Sequence, residues 1–166
     1  MGEATGEPRA RRPGSAMSRK VLILNGPNLN MLGSREVDVY GSDTLADIEA
    51  QARGRGRDLG IDIDFRQSNS EAELVGWIQE ARGDFDGVII NAGAYTHTSI
   101  AILDALKMLD VPVVEVHLSN IFRRESFRAE SYVSLAADGL IAGFGGAGYR
   151  LALDAIDQLT ETGKAR

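Results

Sequence analysis

The residues best equipped for chemistry fall in 111–128, V-P-V-V-E-V-H-L-S-N-I-F-R-R-E-S-F-R, where an apolar run ends at His117 and opens into a polar, arginine-rich loop. Positions 111–116 carry the valine content of a buried strand, which sets the imidazole of His117 where the chain leaves the core for solvent. A titratable ring in that place can give or take a proton near neutral pH. Ser119, Asn120, Arg123, Arg124 and Arg128 follow in the same loop. Their guanidinium forks, hydroxyl and amide suit the carboxylate and hydroxyl groups of a small anionic ligand. Glu115 stands two residues before His117 on the same strand face, within reach of it only indirectly, and is expected to orient or charge the ring.

From residue 20 onward, apolar runs alternate with helical patterns to give five βα units. Strands are predicted over 21–25, 61–66, 87–91, 112–117 and 139–143. Thr44 with Asp47 and Ser70 with Glu73 have the spacing that caps the first two helices. Leu45, Ile48, Ala52 and Leu59 line one face of the first, and Leu74, Ile78 and Ala81 one face of the second. Further helices are predicted over 98–109 and 146–160, with Thr96 and Thr98 as capping candidates for the former. Strands apolar without alternation, such as 21–24 and 87–90, belong in a parallel sheet covered on both faces. The class is therefore α/β, a doubly wound sandwich. Such sheets bind ligands beyond the carboxyl ends of their strands, and polar clusters fall at three of those ends: Asn25 to Asn28, Asn91 to His97, and His117 to Ser119. The 26–43 connection is long for a βα loop, which suits a lid hinged at Gly33 and Gly41 and carrying Arg35 and Tyr40.

Composition narrows the partners. A chain of 166 residues with 43% hydrophobic and 25% charged residues reads as one globular domain over 20–160, with a disordered N-terminal tail at 1–19 and a short tail at 161–166. A net charge of −6 disfavours nucleic acid, which needs a basic face. No apolar run suits a membrane span or a signal peptide, so a cytoplasmic home is expected, with Met17 as a candidate start. Cysteine is absent and histidines number two, which excludes thiolate nucleophiles and Cys-based metal sites. Lys20 and Lys164 are terminal and Lys107 is mid-helix, so no strand end offers a Schiff-base nucleophile. The run G-F-G-G-A-G at 143–148 lacks the Lys-Ser/Thr of a phosphate loop and serves close packing of the last helix.

Taken singly, each feature has a plainer reading: His117 as a structural hydrogen-bonding residue, Tyr40 as loop packing, the arginines as a solvated face, Asn25 to Asn28 as turn chemistry. Taken together they form a pattern. I-L-N-G-P-N-L-N-M-L-G-S-R-E with Tyr40-Gly41, N-A-G-A-Y-T-H-T-S at 91–99, E-V-H-L-S-N at 115–120 and R-E-S-F-R at 124–128 closely resemble type II 3-dehydroquinate dehydratase, in order, over about residues 20–155. Val37, Phe122 and R-A-E-S at 128–131 depart from residues common in that family, and none of them is assigned chemistry.

The resemblance implies a flavodoxin-like fold with a five-stranded parallel sheet, no cofactor, no metal, and a homododecamer built as a tetramer of trimers. It implies anti elimination of water from 3-dehydroquinate to 3-dehydroshikimate through an enolate, a reaction of the shikimate pathway shared in its chemistry with quinate breakdown. Carried over by position, Tyr40 is the base, Arg35 the lid arginine supporting its tyrosinate, His117 the acid for the departing hydroxyl, and Asn28 the residue holding a water at the enolate oxygen. Leu118, through its backbone, and Ser119 match carboxylate binders; Asn91, His97 and Arg128 match binders of ring hydroxyls; Asp104 matches a contact from a neighbouring subunit. An ordinary tyrosine phenol costs roughly 4 kcal/mol to ionise at pH 7, so the base needs cations, and Arg35 and Arg124 are the available ones. A flavin-binding or other non-catalytic module on the same fold is the competing expectation, but N-G-P-N-L-N lacks the Ser/Thr-rich phosphate loop a flavodoxin-type module would need.

Overall fold

In the first strand, β1 (Arg19–Asn25), Val21 and Ile23 enter one apolar layer and Leu22 and Leu24 the other, and all four are fully buried. A strand hydrophobic on both faces needs cover on both, and the chain supplies it. The computed structural model describes residues 18–34 and 36–163. Strands β2 (Ile61–Gln67), β3 (Gly87–Asn91), β4 (Val113–His117) and β5 (Gly139–Ala142) complete one parallel sheet in the order β2-β1-β3-β4-β5. That order is the doubly wound, flavodoxin-like one, with its reversal between β1 and β3.

Besides the one-turn α1 (Val37–Tyr40), the helices are α2 (Leu45–Leu59), α3 (Glu71–Asp84), α4 (Ile100–Lys107) and α5 (Ala147–Thr162). Ile48 and Ala52 of α2 and Tyr149, Ala152, Leu153 and Ile156 of α5 pack with Val21, Ile23, Ile89, Val114 and Val116. Leu74, Ile78 and Ala81 of α3 and Ile102 and Leu106 of α4 pack on the opposite face with Leu22, Leu24, Val88 and Ile90. Thr44 caps α2 with a reciprocal box: its hydroxyl accepts from Asp47 N at 3.1 Å, and the Asp47 carboxylate accepts from Thr44 N at 2.9 Å. Ser70 caps α3 singly, because the Glu73 carboxylate is taken by the hydroxyl of Ser68.

The strand bounds over β2, β4 and β5 differ from the sequence expectation by one residue each, and three other differences have a structural cause or fall at the ends of the chain. β1 begins at Arg19, inside the expected tail, because that guanidinium is fastened to α5 by an ion pair with Asp157 and a 2.7 Å hydrogen bond to Thr160. Residues 1–17, including Met17, lie outside the described residues. At the other end α5 runs through Thr162, past the expected tail boundary, and 164–166 again lie outside. The helix expected over 98–109 is α4 at Ile100–Lys107, preceded by a 3-10 helix at Gly93–His97, and its cap is Ser99, whose hydroxyl accepts from Ile102 N at 2.9 Å.

Candidate active site

One cleft opens at the carboxyl ends of β1, β3 and β4, as the strand order requires of a doubly wound sheet. Close approach of two loops builds its floor: a Cβ on Gly26 would stand 2.3 Å from the carbonyl oxygen of Ala92, so only glycine lets the turn after β1 touch the turn after β3. Asn28, Tyr40, Asn91, His97, His117, Leu118, Ser119, Arg124 and Arg128 all line this cleft. Glu115 lies directly behind it. Asp104 stands exposed on α4, away from the cleft of its own chain, and Arg35 lies outside the described residues.

His117 and Glu115 share a face of β4 because strand side chains repeat every second residue. The expectation of only indirect contact is corrected: His117 Nε2 and Glu115 Oε1 are 2.6 Å apart, since the β4 backbone places both side chains in one buried slot. Glu115 is fully buried, and its carboxylate also accepts from the hydroxyls of Thr96 at 2.9 Å, Ser131 at 2.5 Å and Ser134. Burial pushes this carboxyl up, but the hydrogen bond and charge of His117, with the serine hydroxyls, outweigh it and hold its pKa below the ordinary range. Thr96, expected as a helix cap, donates to Glu115 instead, and Ser99 caps α4. Next to this pair the His97 ring stacks on His117 with centroids 6.5 Å apart, and its Nδ1–H donates to the Glu130 carbonyl at 2.7 Å.

The other wall comes from the 26–43 connection, a 3-10 turn at Leu29–Met31 followed by α1. Its two expected hinges adopt glycine conformations, φ +86° at Gly33 and +83° at Gly41. Asn28 is left-handed at φ 68°, and its N–H is held by Asn69 Oδ1 at 3.0 Å. Tyr40 ends α1 with its hydroxyl 3.0 Å from Arg124 Nη1, and the same guanidinium lies 5.3 Å from the ring centre. Arg124 Nη1 also reaches Ser119 Oγ at 3.4 Å, while Arg128 is paired with Glu125 at 2.8 Å.

Several members of this site escape sequence reasoning. Thr96, Ser131 and Ser134 meet Glu115 only in three dimensions, and the one sequence clue is a buried strand carboxylate, which must find donors somewhere. Tyr149 bridges Asn25 and Asn91 from a helix 58 residues beyond the latter, and nothing local marks it.

The arrangement offers a phenol backed by a guanidinium on one wall and an imidazole backed by an ionised carboxylate on the other, with amide and guanidinium donors between. It suits moving a proton at each of two sites on a small polar anion. Among the described residues no group of His, Asp and Glu is placed to hold a metal ion.

Comparison with known proteins agrees with this chemistry. Residues 19–157 match the family described as Dehydroquinase class II. The chain is 56% identical over 159 residues to a 3-dehydroquinate dehydratase of Streptomyces avermitilis, covering 95% of this chain and 98% of the relative. It is 54% identical over 155 residues to the Streptomyces coelicolor 3-dehydroquinate dehydratase, covering 93% and 99%. Among solved structures, the type II dehydroquinase of Propionibacterium acnes superposes with a TM-score of 0.83 at 48% identity, over 87% of this chain and 99% of that one. The chain belongs to the class II dehydroquinase family.

Proposed function

We propose that the cleft dehydrates 3-dehydroquinate to 3-dehydroshikimate, an enzyme step of the shikimate pathway that leads to the aromatic amino acids. Family membership supports the reaction. The observation that carries the mechanism is the 3.0 Å contact from the Arg124 guanidinium to the Tyr40 hydroxyl, which sets a cation against the group that must become an anion to act as base.

In the proposed sequence the Tyr40 phenolate takes the C2 proton and the C2–H electrons move into the ketone to give an enolate. Asn28 holds a water against the enolate oxygen, and Arg35 supports the phenolate. The enolate then collapses, the C1–O bond breaks, and His117 protonates the leaving hydroxyl so that it departs as water. Because the Nε2–H of His117 is donated to the ionised Glu115, the proton delivered to substrate comes from Nδ1, and the reacting ring is the doubly protonated one. The backbone of Leu118 and the hydroxyl of Ser119 bind the carboxylate, and Asn91, His97 and Arg128 bind ring hydroxyls. The proposed assembly is a homododecamer of four trimers in which the exposed Asp104 completes the neighbouring subunit's cleft. The proposed location is the cytoplasm; no described helix is long and apolar enough to cross a membrane.

The test is to mix the protein with 3-dehydroquinate and follow the conjugated enone in the ultraviolet, with Tyr40→Phe beside it. Loss of general-base catalysis predicts a fall in kcat of about 10²–10⁴-fold in the variant. A folded wild type without turnover would remove the proposal, and a Tyr40→Phe enzyme at full rate would remove Tyr40 as the base.

A further inference from the structure

Asn25 and Asn91 are the last residues of β1 and β3, and they sit side by side in register. Both share strand parity with Ile23 and Ile89, so both side chains turn toward α5. Between them the fully buried Tyr149 hydroxyl donates to Asn25 Oδ1 at 2.6 Å and accepts from Asn91 Nδ2 at 3.1 Å. The direction of this chain is imposed from its far end. Asn25 Nδ2 donates to the main-chain carbonyl of Arg66 at 3.0 Å, and a carbonyl can only accept. Asn25 must therefore present its oxygen to the phenol, the phenol must spend its proton there, and its lone pairs can receive only an N–H from Asn91. Gly93 N–H closes on Asn91 Oδ1 at 3.2 Å and holds the other end of the same carboxamide. Burial keeps the Tyr149 phenol protonated far into the alkaline range, so the relay keeps its direction wherever the protein is folded.

We propose that Tyr149 is a positioning residue for substrate binding, fixing which way round the Asn91 carboxamide faces the cleft while touching no substrate itself. The proposal rests on the reading of the cleft as a 3-dehydroquinate site with Asn91 at a ring hydroxyl. A contact to a non-reacting hydroxyl is made alike in ground and transition states, so loosening it raises KM and leaves kcat.

The experiment is steady-state kinetics on 3-dehydroquinate for the wild type, Tyr149→Phe, Asn91→Ala and the double variant, with thermal unfolding of each. Tyr149→Phe keeps the ring that packs on Phe65 at 6.2 Å between centroids. It removes both hydrogen bonds of the hydroxyl, and the loss of the one that orients Asn91 is expected to raise KM about fivefold, with kcat within twofold. In the Asn91→Ala background the same change is expected to leave KM where Asn91→Ala alone puts it. A Tyr149→Phe enzyme with wild-type KM, or a KM effect that persists undiminished without Asn91, overturns the proposal; a purely structural tyrosine would lower the unfolding midpoint and do neither of the expected things. A wild type without turnover would instead overturn the reading of the cleft. Should Tyr149→Phe not fold, Asn25→Ala removes the acceptor that sets the direction, with the same KM rise expected, and wild-type KM there overturns the proposal equally.

Discussion

The two walls of the cleft are built on opposite principles. On the strand-end wall, Glu115 and Thr96 are fully buried and His117 is 5% exposed, and the carboxylate is cross-linked to four side chains drawn from three segments. On the opposite wall, proposed as the lid, Met31 is 50% and Val37 48% exposed, the regular structure is a 3-10 turn and the one-turn α1, and the Arg124 guanidinium ties Tyr40 to the body. A group that must hold one proton state and one orientation is placed where burial and hydrogen bonding leave it no alternative. The proposed lid carries Tyr40 on α1, which has no buried residue, so that local opening there costs little. The contrast predicts that damage to the strand-end wall changes rate and stability together, whereas damage to the lid changes kinetics alone.

The largest expected effect comes from Glu115→Gln, which keeps the shape and removes the charge. The amide cannot support a doubly protonated His117 as the carboxylate does, so kcat should fall on the order of 10²-fold with KM changed less than threefold. The alkaline limb of the pH–rate profile, on which a general acid loses its proton, should move with it. An unchanged profile at full turnover would mean that Glu115 does not act on His117.

Next in size, Ser134→Ala removes one hydroxyl from a buried carboxylate and should cost about 1.5–3 kcal/mol of stability at neutral pH, as a hydrogen bond to a charged group does. The pH dependence has a definite sign. Glu115 is depressed in the folded protein, so its contribution is complete above the unfolded carboxylate pKa and is lost as pH falls through the lower folded value. The gap between wild type and variant in denaturant titrations should therefore be widest at pH 6–8 and narrow below about pH 4, where the unfolded carboxyl is protonated. A gap that widens on acidification would contradict an ionised Glu115.

Much of the strand-end wall's scaffold is legible in the sequence, and most of its cross-linking is not. β3 falls at the predicted 87–91 because Gly-Val-Ile-Ile-Asn is apolar without alternation and bounded by polar turns, a local signal. His117 and Glu115 announce themselves as polar residues on an otherwise valine strand. Thr96, Ser131 and Ser134 do not, because a hydroxyl's partner is decided by folding and these come from two segments outside β4. Thr96 looked like a cap for the same reason: Ser and Thr serve caps and buried acceptors with one chemistry, and only the position of Glu115 decides between them. Tyr149 is hidden further still, inside a helix whose apolar period accounts for it completely.

Arg124→Lys tests the tie between the walls. A single ammonium cannot reproduce a guanidinium that reaches Tyr40, Ser119 and the face of the Tyr40 ring at once, so kcat is expected to fall about tenfold with the unfolding midpoint unmoved. A lysine variant at the wild-type rate would shift the support of the phenolate to another cation.

The smallest expected effect is the sharpest test of the contrast itself. Gly41 has φ +83° and ψ 177°, a region nearly reserved for glycine, and a Cβ there would meet nothing within 4 Å. Gly41→Ala therefore brings backbone strain of about 1–3 kcal/mol with no packing clash. On the strand-end wall such strain would appear in global stability, because nothing there can relax alone. On the lid the segment relaxes by opening, so the global unfolding midpoint should stay within experimental error while hydrogen exchange quickens around residues 36–41. Turnover should fall severalfold, since the strained lid spends less time with Tyr40 against Arg124. If instead the midpoint dropped by several degrees and exchange rose throughout the sheet, the lid would be part of the same cooperative unit as β4, and the division between a fixed wall and a yielding one would be wrong.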